Sequence, residues 1–214
     1  MAIKRETREV KNFDWVSLSG QGDIIIEQGD QEGLIIEADE GLLSYIKSEV
    51  KDGKLKIGIR NWLDALFLWP QGPIHYYVQM KEVTGVSISG SGKMDTKTLK
   101  GNDLSLEISG SAEMHVAELE YKDLEMTVSG SGRFDLAGKA AATEVRISGS
   151  GRVDSQNLEI QEASVRISGA GDVFFKVEKK LEVSISGSGS VRYEGNPQVT
   201  KRISGSGQVG PLHG

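Results

Sequence analysis

Apolar and polar positions alternate in a phrase that returns seven times between residues 84 and 210. It opens with an apolar pair flanking one polar residue, as in Val86-Ser87-Ile88, Leu106-Glu107-Ile108, Val145-Arg146-Ile147 and Val165-Arg166-Ile167. A period of two turns one face inward and the other outward, which predicts a β-strand. Val and Ile, β-branched, suit such a half-buried pleated surface. A Ser-Gly pair and a second small pair follow. Then, always six residues after the second apolar position, comes another apolar residue: Met94, Met114, Phe134, Val153, Val173, Val191 and Val209.

The Gly after the first Ser falls at 90, 110, 130, 149, 169, 187 and 205, a period of 18 to 20 residues. A unit this short cannot bury its own apolar side chains, but stacked copies can, so each reads as one coil of a solenoid. The predicted fold is all-β, a right-handed parallel β-helix (β-solenoid), the hand being the one parallel crossovers overwhelmingly take. Length differences collect in the return segment, where a coil is free to bulge. If alternation runs on from Ile88 to Met94, both glycines of a phrase point inward and both serines outward. Glycine there lets the backbone close in at a narrow point. The final coil has Lys201 where the others have an apolar residue, as a polar capping coil should.

The phrase occurs once near the start, Val16-Ser17-Leu18-Ser19-Gly20-Gln21-Gly22-Asp23-Ile24. The chain 1–214 therefore reads as a single β-solenoid domain. First strands and first coil occupy 8–29, a strand-rich insertion over 30–83 caps the stack, and seven Ser-Gly coils fill 84–210. Within the insertion, 33–37 and the alternating Ile74, Tyr76, Val78 and Met80 predict strands, and Asp52-Gly53 predicts a hairpin turn.

Composition narrows the functional classes. The 27 glycines and 6% aromatics suit many tight turns rather than a thick core. No run of 18 apolar residues is present, so no transmembrane segment is expected, and the opening residues hold no apolar signal stretch. Without cysteine there are no disulfides and no thiol chemistry. A net charge of −6 argues against nucleic acid, which demands a basic surface. The histidines His75, His115 and His213 lack ligand spacing, and no Gly-rich loop opens a helix with Gly-Lys-Ser or Gly-Lys-Thr. No cofactor, metal or catalytic residue is expected.

Three surface features compete. Ser89, Ser109, Ser129, Ser148, Ser168, Ser186 and Ser204 should stack as a hydroxyl column, with a second column two residues on; either a ligand lattice or a tight corner explains them. Lys93, Glu113, Arg133, Arg152 and Asp172 should form a charged column beside Asp95, His115, Asp135 and Asp154. Adjacent Asp135 and Asp154 allow a catalytic pair, whereas alternating charge reads as a solvated, salt-bridged face. Aromatics gather in Trp62-Leu63-Asp64-Ala65-Leu66-Phe67-Leu68-Trp69-Pro70, followed by Tyr76 and Tyr77. Aromatic faces bind sugars and proteins, so Trp62, Phe67, Trp69, Tyr76 and Tyr77 are the candidate ligand or partner contacts. A plug over the first coil, or homo-oligomer formation through 62–77, are the alternatives.

The opening Arg8-Glu9-Val10-Lys11-Asn12-Phe13, the stretch Glu37-Ala38-Asp39 followed by Glu49-Val50-Lys51-Asp52-Gly53-Lys54-Leu55-Lys56-Ile57, and the Ser-Gly-Ser-Gly coils resemble a bacterial family, the putative auto-transporter adhesin, head GIN domain family. The resemblance spans nearly the whole chain. It implies the fold and an exported protein of the cell envelope or periplasm. With the surface features above, the expected function is that of a non-enzymatic binding or scaffold protein that contacts a glycan or surface protein. The rival expectations are a polysaccharide-processing β-helix enzyme using the Asp95-to-Asp154 columns, and a self-assembling structural component of the envelope.

Overall fold

The computed structural model describes residues 2–59 and 72–212. Strand accounts for 77% of residues and helix for 2%, and the strands coil into a β-solenoid, as the alternation predicts; its turns number about six, fewer than the phrases. In chain order, β1 (Ile3–Arg8) precedes β2 (Trp15–Gln21) and β3 (Asp23–Gln28), which carry the early phrase. Next come β4 (Gly33–Asp39), the one-turn helix α1 (Glu40–Leu43), β5 (Ile46–Lys51), β6 (Lys54–Ile59) and β7 (His75–Met80). The repeats begin with β8 (Gly85–Ser91), β9 (Lys93–Lys100) and β10 (Asp103–Gly110). Four long strands follow: β11 (Glu113–Gly130), β12 (Arg133–Gly149), β13 (Arg152–Gly169) and β14 (Asp172–Gly187). The last are β15 (Ser190–Glu194), β16 (Gln198–Gly205) and β17 (Gln208–Pro211).

Successive coils pair in parallel, residue for residue. Val86 lies beside Leu106, and then Met126, Val145, Val165, Val183 and Lys201 follow in one column. All but Lys201 are at most 4% exposed, so the column is a continuous strip of core. Lys201 is exposed in the last coil, and Ile203 beside it is 40% exposed. Register shifts occur between Val116 and Leu119, Asp135 and Gly138, and Ser155 and Glu159. All lie in the return segment, where the sequence varies in length.

The phrase's two glycines do different jobs, which corrects the expected parity. The second points inward: a Cβ on Gly132 would come within 2.4 Å of the Ile108 Cγ2, and Ala112 in the same column is fully buried. The first does not. Gly130 has φ 126°, and a Cβ there would meet the Gly110 carbonyl oxygen at 2.5 Å. That carbonyl is fixed because it accepts the Ser131 N–H at 2.8 Å. The corner between two faces thus breaks the alternation, and its stacked backbone leaves no room for a side chain. Both serines of the phrase are exposed, as expected.

The insertion does more than cover an end. β6 runs parallel to β2, and β7 parallel to β3, so together they extend the stack one layer beyond the first phrase. On the other side β2 pairs with β8, with Gly20 beside Gly90. Antiparallel strands then close that end: β5 on β6, β4 on β7, and β1 on β4. Asp52 (φ 52°) and Gly53 (φ 74°) make the hairpin turn between β5 and β6.

Two phenols are held inside this frame. Tyr76 is 2% exposed, and Tyr121 donates its hydroxyl to the Val83 carbonyl at 2.9 Å. Burial raises both above the ordinary tyrosine value of 10.0. The folded chain keeps both phenols neutral while the unfolded chain ionises. Their contribution is therefore whole below pH ~10 and is lost as pH rises above it, by about 1.4 kcal/mol per pH unit for each phenol. Urea midpoints should hold steady from about pH 7 to 9 and then fall, with the fall about half as steep in Tyr121→Phe. Equal slopes in the two proteins would contradict this.

Candidate functional site

The charged columns form as the spacing predicts. Lys93, Glu113, Arg133, Arg152 and Asp172 are successive neighbours, as are Asp95, His115, Asp135 and Asp154. Lys93 Nζ lies 3.4 Å from Glu113, and His115 Nδ1 lies 3.7 Å from Asp135. Asp154 accepts from Arg133 and Arg152, each at 3.3 Å, and from Gln156 at 3.1 Å. Although Asp135 and Asp154 are paired along the ladder, Asp154 turns to two arginines and Asp135 to the His115 imidazole rather than to each other. His75 repeats the pattern on another layer, with Nδ1 3.7 Å from Asp23. Among the described residues, no group of three or more His, Asp and Glu side chains could hold a metal ion. The serine column is also in register, from Ser89 to Ser204.

Of the aromatic candidates, Trp62, Phe67 and Trp69 lie outside the described residues. Tyr76 belongs to the core, its ring filling the space beside Gly22, where a Cβ would come within 2.6 Å of Cε2. It presents nothing to a ligand. Tyr77 points outward and is half-buried, flanked by Ile25 on one side and Ile35 on the other. The Arg5 guanidinium sits 5.3 Å from its ring centre and is ion-paired with Glu37. Tyr77 is thus the one described candidate with an accessible face.

A feature that sequence reasoning missed runs along the corner where each return segment re-enters the next face. It is a groove of about 590 Å³ that runs from Trp15 and Thr84 across β10, β11, β12, β13 and β14. Leu104, Leu124, Thr143 and Ala163 form its floor, at one position in successive coils. Leu181 continues that column, so Thr143 and Ala163 are small residues where leucine would otherwise fill the corner. The Thr143 side chain is 4% exposed and its hydroxyl has no hydrogen-bond partner.

The walls are acidic. Glu125 and Glu144 are ion-paired with Arg146, and Glu144 also with Arg166. Glu182 pairs with Lys180 at 2.6 Å, a contact that lowers the carboxyl and raises the amine. Asp103 and Asp123 are direct neighbours on adjacent strands, and neither carboxylate has a partner among the described residues. Trp15 closes one end of the groove. Its ring spreads over Gly85, where a Cβ would come within 2.2 Å of Cε3, and Lys54 Nζ stands 3.9 Å from the ring centre. The indole N–H donates to Ser87 at 3.4 Å.

Several solved structures share this fold. The chain is similar to a structure described as a putative adhesin from Bacteroides fragilis NCTC 9343, with TM-score 0.85 and 20% identity over 99% of this chain and 97% of that one. A protein described as a putative lipid binding protein from Parabacteroides distasonis ATCC 8503 matches with TM-score 0.75 and 22% identity, covering 98% and 96%. Another putative adhesin, from Parabacteroides merdae ATCC 43184, gives TM-score 0.72 and 20% identity over the same shares. No curated protein matches the chain. A family model, by contrast, matches residues 12–197, nearly the whole solenoid. The chain belongs to the family described as putative auto-transporter adhesin, head GIN domain.

Proposed function

We propose that the protein is a non-enzymatic binding scaffold of the bacterial cell envelope, a rigid stack that displays contact surfaces to a glycan or a surface protein. One observation carries this reading: the one-to-one register of the coils makes long, fixed faces whose exposed charges are mostly neutralised by neighbours in the same ladder. Such a face keeps its shape without a ligand, so little ordering cost is left to be met on binding. The family's description as an adhesin points the same way. The enzyme reading needs Asp135 and Asp154 to act together, and their turning to different partners, His115 for one and Arg133 with Arg152 for the other, gives it no support.

The aromatic stretch from Trp62 to Trp69, with Tyr77, is the contact element in this reading. Purified protein should bind discrete members of a panel of arrayed glycans and immobilised surface proteins. Trp62→Ala and Trp69→Ala together should weaken that signal tenfold or more while leaving the melting temperature unchanged. A blank panel accompanied by concentration-dependent growth in sedimentation would overturn it in favour of self-assembly.

A further inference from the structure

The geometry points to the acidic corner groove as a docking channel for an extended, lysine- or arginine-rich peptide segment of a partner protein. The inference rests on the reading of the chain as a binding scaffold and gives that scaffold a second, chemically distinct surface.

Charge names the occupant. Six carboxylates line the groove, and only Lys180 among its lining residues is cationic, with Arg146 and Arg166 reaching in from beside it. Those three cations are already engaged by Glu125, Glu144 and Glu182. Glu162 lies directly beside Lys180 on the next strand, so the surplus is Asp103 and Asp123. Like charges facing each other on adjacent strands are unfavourable, and elsewhere on this surface opposite charges relieve them. Asp103 and Asp123 are left facing each other without relief. A cation supplied from outside removes that repulsion.

The floor adds apolar surface. Leu104, Leu124, Thr143 and Ala163 run along it and suit the aliphatic stems of lysine or arginine. Length agrees as well. From β10 to β14 the groove crosses four strand spacings, about 19 Å, which an extended chain covers in about six residues. At the far end Trp15 holds Lys54 over its ring, so a cation already occupies the kind of position a partner side chain would take nearby.

The test is fluorescence anisotropy with a labelled seven-residue peptide alternating Lys and Ala, beside its Glu/Ala counterpart. The Lys/Ala peptide should bind saturably and more weakly at high salt, and the Glu/Ala peptide should not bind. Asp103→Asn with Asp123→Asn should weaken binding tenfold or more. Asp95→Asn with Glu118→Gln, the same charge change on other faces, should alter it less than twofold. Absence of saturable binding, equal losses from the two double variants, or displacement of the peptide by a neutral oligosaccharide would each overturn the proposal. If the peptide fails while the panel of glycans and proteins still gives a tryptophan-dependent signal, the groove is refuted and the scaffold reading stands.

Discussion

Gly149→Ala is expected to destabilise the stack by about 3–5 kcal/mol, out of proportion to one added methyl group. The residue has φ 123°, and its added Cβ would lie 2.5 Å from the Gly130 carbonyl oxygen. That oxygen cannot swing away, since it accepts the Ser150 N–H at 2.8 Å. Relief requires either a strained backbone or a parting of two coils along their ladder. Gly151→Ala, two residues on, provides the comparison. Its Cβ would meet the Val128 Cγ1 at 2.5 Å, a side chain rather than a backbone, and the same column already accepts Ala112. Overpacking of that kind costs about 1–2 kcal/mol. Urea titrations of the two variants should separate clearly. Equal losses would mean that the first glycine is not confined by the coil beneath it.

Phe134→Ala should cost about 3–5 kcal/mol, as large-to-small changes at sealed sites do. The ring is fully buried and stacked between Met114 and Val153. In a solenoid each coil contacts only its neighbours, so the damage should stay local. Amides of β11 and β12 should exchange faster by hydrogen–deuterium measurement, while those of β5 and β6 at the capped end change little. Uniform acceleration along the chain would instead indicate one indivisible cooperative unit.

The sequence made the stack legible because its rule is local and repeated. Val-Arg-Ile followed by Ser-Gly fixes which side chains are buried, and the constant six-residue arc fixes which residues become neighbours. Three things lay beyond that rule. The positive φ of Gly130 and its equivalents arises from a corner, where a period of two no longer holds. The place of β6 beneath β2 was hidden because Leu55-Lys56-Ile57-Gly58 lacks the Ser-Gly-Ser-Gly phrase, so nothing marked it as a coil. The groove was hidden for a different reason. Asp103, Asp123 and Glu162 sit at the end of return segments whose lengths differ, and the small Thr143 and Ala163 that open its floor look like ordinary substitutions for leucine. The charged and serine columns, tied to the constant arc, were readable in full.

Disulfide trapping tests the register most directly, in a chain that has no cysteine of its own. Ser109→Cys would be combined in turn with Ser129→Cys, Ser148→Cys and Ser186→Cys. Ser109 and Ser129 are direct neighbours on adjacent strands, at a spacing of about 4.8 Å that a disulfide can bridge. The account predicts rapid trapping for that pair and none for the other two. Failure of the first pair to close, or closure of all three alike, would contradict the stacked coils on which every surface described here depends.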